Sequence, residues 1–74
     1  MAFTEINDSN KAYYFIAAHT INGARFFSES FNNISIAAQN YVLYEDLVDY
    51  FGGGIVELYY IDEEDFNIVA ISRV

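Results

Sequence analysis

Two features of this 74-residue chain could do chemistry: the lone histidine, His19, and the unbroken acidic run Asp62, Glu63, Glu64, Asp65. Carboxylate oxygens are the ligands of hard divalent cations. Adjacent side chains project in different directions, however, and the alternating acids, central glycine and distant glutamate of a calcium loop are missing here. The run therefore reads as a solvated turn, where charge costs least. His19 has no second histidine and no cysteine to complete a metal pair or a thiol–imidazole couple. Ser9, Ser28, Ser30, Ser35 and Ser72 lie in no G-x-S-x-G context. Gly52-Gly53-Gly54 precedes a strand-like run and no lysine follows, unlike a phosphate-cradling loop; it reads as a helix stop plus a flexible hinge. The expectation is a non-enzymatic protein with no catalytic residue, no cofactor and no metal.

The composition suits one small folded domain spanning residues 1–74. Hydrophobic residues make up 54% of the chain, with seven Tyr and seven Phe. That is a folding composition, and its apolar surplus can exceed what one small core hides. Having no Cys removes disulfides and favours a reducing, cytoplasmic setting. No apolar stretch spans a membrane, and the acidic residues Glu5 and Asp8 make the opening unlike a signal peptide. The net charge of −8 opposes direct binding to nucleic acid or anionic lipid. It favours a basic protein partner, or serves solubility alone. Lys11, Arg25 and Arg73 form no basic track and read as local ion-pair partners.

Residues that could position these groups fall into a simple order. Asn22-Gly23 suggests a two-residue hairpin turn with both residues at positive φ. It would pair a strand of about Lys11–Ile21 with one of about Ala24–Phe31, setting Ile21 against Ala24, His19 against Phe26 and Phe15 against Ser30. Asn33 or Ser35 can cap a helix of about Ser35–Phe51, with Gly52 just past its end. Ala37, Tyr41, Tyr44, Val48 and Phe51 recur at helical spacing. A third strand over residues 34–43 is the rival reading, disfavoured by its alanines and Gln39-Asn40. The acidic turn then joins "IVELYYI" to "NIVAISRV" as a second hairpin. The order ββαββ predicts an α+β fold: a four-stranded, mainly antiparallel sheet with one helix packed on one face.

Two uses of the surface follow. Glu45, Asp46 and Asp49 on the helix and Asp62–Asp65 in the turn could together imitate a run of phosphates. Tyr44, Tyr50, Tyr59 and Tyr60 would serve as anchors on a basic nucleic-acid-binding effector or nuclease. In size and charge such a chain resembles phage- or plasmid-encoded antagonists of host defence, anti-CRISPR proteins among them, which implies an inhibitor. Alternatively, the sheet face without a helix carries exposed aromatics such as Tyr13, Phe15, Phe26 or Tyr59. It would then act as a general interaction surface, in an immunity protein, an antitoxin, a small subunit or a homodimer.

Overall fold

A computed structural model describes residues 12–74; Lys11 and the acidic opening lie outside the described residues. The elements are β1 (Tyr13–Thr20), β2 (Arg25–Phe27), α1 (Ile34–Tyr50), β3 (Gly54–Ile61) and β4 (Phe66–Arg73). They form one antiparallel sheet in the order β2-β1-β3-β4, with α1 across one face. The fold is α+β, ββαββ.

The helix forms where caps bracket an apolar stripe. Asn33 is extended, and its side-chain oxygen accepts from the Ser35 and Ile36 N–H groups at 2.7 and 3.2 Å. At the other end Gly52 turns left-handed, at φ +102°. Its N–H reaches the Asp49 carbonyl and the Gly53 N–H reaches that of Val48, which closes the last carbonyls as a glycine C-cap does. Ala37, Tyr41, Tyr44 and Val48 face the sheet and pack on Ile16, Ala18, Val56 and Leu58. The Tyr41 hydroxyl ties three elements together. It lies 3.2 Å from the Val56 carbonyl and 2.6 Å from the Ser72 hydroxyl, so α1 is bonded to both β3 and β4. Residues 34–43 are helical throughout, not a third strand.

The first hairpin departs from the two-residue turn. Thr20 pairs with Ala24, and its carbonyl accepts from the Gly23 N–H at 3.0 Å. Only Gly23 is left-handed, at φ +96°, so the loop is Ile21-Asn22-Gly23. The Thr20 hydroxyl also accepts from the Ala24 N–H, which stabilises the longer loop. The register moves by one: His19 faces Arg25 and Ala18 faces Phe26. A one-residue shift reverses which side of the sheet each residue of a strand faces. Phe26 therefore lies on the helix side, and Arg25 and Phe27 on the other. β2 stops at Phe27 because the Ser28 hydroxyl replaces a backbone carbonyl, accepting the Ile16 N–H at 2.8 Å. The extra residue is absorbed there, and Tyr14 then meets Phe31.

The glycines after the helix are fastened and do not form a hinge. Ile21 donates to the Gly53 carbonyl, and Gly54 exchanges two hydrogen bonds with Val74. Gly54 is also the partner of Thr20 in the central ladder, where a Cβ would collide with the carbonyl oxygen of His19. Gly54→Ala should therefore destabilise the fold by about 1–3 kcal/mol through overpacking against backbone that cannot yield. Urea unfolding checks this, and a loss below about 0.5 kcal/mol would mean that β1 and β3 tolerate a wider separation here.

Candidate interaction face

The cross-strand registers fix which side chains share the face away from α1. Antiparallel partners lie on the same side of a sheet and successive residues alternate. The uncovered face is thus built in rows running from β2 to β4. Arg25, His19, Ile55 and Arg73 make the first row, and Phe27, Ala17, Glu57 and Ile71 the second. Phe15, Tyr59 and Ile68 make the third, and Tyr13, Ile61 and Phe66 the fourth. A bulge at Val69, opposite the Leu58–Tyr59 step, keeps Phe66 and Ile68 on this face. Beyond the fourth row lies the acidic turn.

This face is apolar in the middle and charged at its ends. Phe15, Tyr59 and Phe66 stack across three strands, with ring centroids 5.1 and 5.0 Å apart. Phe27 and Phe66 are 63% and 64% exposed, and Ile68 and Ile71 51% and 54%. Four large apolar side chains more than half open on one side form a contiguous patch, which monomers seldom leave uncovered. One carboxylate interrupts it. Glu57 accepts a hydrogen bond from the Tyr59 hydroxyl at 2.9 Å, and its Oε1 lies 3.9 Å from His19 Nε2. Partial burial, the hydrogen bond to Glu57 and the nearby negative charge, in that order, raise the Tyr59 pKa above the ordinary tyrosine value.

The acidic groups take other positions. In the turn, the Asp62 carboxylate accepts from the Glu64 and Asp65 N–H groups at 2.9 and 2.7 Å, and the Asp62 N–H donates to the Asp65 carbonyl. Asp62 thus shapes the turn through its own side chain. Glu63, Glu64 and Asp65 are exposed. Glu45, Asp46 and Asp49 sit near the C-terminal end of α1, which leads directly into the start of β3, whereas the turn follows its end. The eight residues of β3 put about 25 Å between the end of α1 and the turn, and the helix acids lie within the last two turns of α1. They are at opposite ends of the sheet and not side by side.

The four candidate tyrosines are also separated. Tyr59 is on the uncovered face. Tyr44 packs against the core beneath the helix, and Tyr60 lies on the helix side against Tyr14, with centroids 4.9 Å apart. Tyr50 is 82% exposed, edge-on to Phe51 at the helix end. The residues that sequence reasoning overlooked are Phe27, Phe66, Ile68, Ile71 and the two arginines. Alternation in β1 exposes Tyr13 and Phe15 from sequence alone, but the shifted register and the bulge hide the parity of β2 and β4.

Two concavities among the described residues gather no reactive groups. One of about 380 Å³ lies at the end of the sheet against His19, Gly52–Gly54 and Arg73. The other, about 520 Å³, is an apolar groove between α1 and β2, lined by Phe26, Leu43, Tyr44 and Leu47, with Arg25 and Phe27 at its edge. Among the described residues no three His, Cys, Asp or Glu side chains converge as metal ligands. No helix among them is long and apolar enough to cross a membrane. Compared with protein-family models, curated proteins and solved structures, the chain matches none.

The Tyr59–Glu57 bond has a readable signature. A raised pKa in the folded state favours folding fully below the unfolded value of about 10. That contribution is lost as the pH climbs through the folded pKa. One tyrosine should ionise later than free tyrosine when absorbance is followed at 295 nm. Glu57→Gln should bring that ionisation earlier, and Tyr59→Phe should remove it. An identical titration in wild type and Glu57→Gln would show that the carboxylate does not hold the hydroxyl.

Proposed function

We propose that this chain is a non-enzymatic protein-binding domain that docks through the uncovered sheet face. The carrying observation is the apolar patch of Phe27, Phe66, Ile68 and Ile71 around the Phe15–Tyr59–Phe66 stack. It has the makeup of an interface centre, rich in aromatics and poor in charge. Glu57 at its middle would give a partner a directional contact, since a desolvated acceptor rejects a surface with no donor to match it.

The acidic-inhibitor reading, in which the chain masks a basic nucleic-acid-binding surface, draws its support from the charge of −8. It needs Glu45, Asp46 and Asp49 to continue into Asp62–Asp65, and the length of β3 lies between the two sets. Acids around the rim remain suited to steering a basic partner toward the face.

A surface scan separates the readings. Affinity purification with Phe66→Asp or Ile68→Asp should lose the specific partner, with at least about a tenfold fall in affinity for a buried central contact. Asp46→Ala with Asp49→Ala should change that affinity by no more than about twofold, as rim charges do. The reverse pattern would replace the docking face by the acidic inhibitor.

A further inference from the structure

Granting that the uncovered face docks protein, we infer that its occupant is a second copy of this chain, packed face to face with strands antiparallel. The argument starts from where the charges fall. Both arginines of the sequence, Arg25 and Arg73, stand in the first row of this face. The acidic turn borders the opposite end, directly after the Ile61 row. On the uncovered face itself the arginines and the acidic turn thus lie at opposite ends of the strands, while Glu45, Asp46 and Asp49 belong to α1 on the other side.

A two-fold axis parallel to the strands would stack arginines on arginines and acids on acids. An axis across the strands, through the Phe15–Tyr59–Ile68 row, lays each strand over its own counterpart and sets Arg73 of β4 against the other copy's Asp62–Asp65 turn between β3 and β4, with Arg25 at the far edge on β2. The same register places Glu57 against the other copy's Tyr13–Ile61–Phe66 row, where the Tyr13 hydroxyl offers a donor. The two Glu57 carboxylates then avoid each other, and the aromatic stacks meet at the axis. Face-to-face sheets pack with their strands within about 30° of alignment and about 10 Å apart, which these side chains can fill.

The size is also adequate. Strands spaced about 4.8 Å, each rising about 3.3 Å per residue, give roughly 400–500 Å² of planar face per copy. Side-chain relief carries two copies past the about 1,000 Å² that a specific interface needs. The assembly would be a four-layer sandwich with a helix on each outside.

Sedimentation equilibrium should return twice the 8.5 kDa of the chain. Arg73→Glu should shift the protein to monomer, with at least about a tenfold weaker self-association. Glu64→Arg with Asp65→Arg should do the same, circular dichroism confirming that both variants fold. Mixing the two variants should restore a dimer, because each end of the mixed pair is again complementary, and native mass spectrometry would identify it as the heterodimer. A wild-type monomer at millimolar concentration would overturn the second copy. A dimer indifferent to either reversal, or one not restored on mixing, would overturn this arrangement. If the monomer still captures another protein and loses it on Ile68→Asp, the docking face stands and only its occupant is wrong. A monomer whose capture ignores Ile68→Asp removes both.

Discussion

One helix can shield only one side of a sheet, and in this chain both sides are apolar. α1 spends Ala37, Tyr41, Tyr44 and Val48 on the Ile16–Leu58 side. Nothing among the described elements lies on the other. The aromatic stack, the lone carboxylate at its centre and the charged ends all sit on a surface that the chain's own secondary structure leaves uncovered. A small domain gains stability by burying apolar area, and it is this open face that the proposed docking would cover.

The order of elements was legible because the periodicity changes where the structure does. Alternating aromatic runs give way to a helical stripe after Asn33 and return after three glycines. The caps were legible too, since Asn33 and Gly52 supply what a helix end requires. Sheet parity was not. Asn-Gly serves both a two-residue loop and a three-residue loop with one left-handed glycine, and the choice rests on Thr20, whose hydroxyl takes the Ala24 N–H. Ser28 and Val69 each shift the count of their strands by one. A single inserted residue of this kind leaves no periodic trace.

The separation of the acidic sets follows from the short link between α1 and β3. Only Phe51, Gly52 and Gly53 separate α1 from β3, so the helix end and the strand start lie together and a turn at the far end of that strand lies away from Asp49. Net charge is a property of the whole molecule, whereas recognition depends on which groups share a surface. Here the two acidic clusters divide between the two ends of the sheet, Glu57 stands between them, and both arginines lie in the row at one end.

The central ladder has a bearing on how the chain folds. Even its nearest partners, Thr20 and Gly54, are separated in sequence by all of β2 and α1. Each hairpin can zip from its own turn, but the β1–β3 seam must wait until that long intervening segment has collapsed into a helix. High contact order of this kind slows the search for the native topology. During that interval β1 and β3 present their inner edges unpaired, which makes crowding of nascent chains the moment of greatest hazard for this small domain.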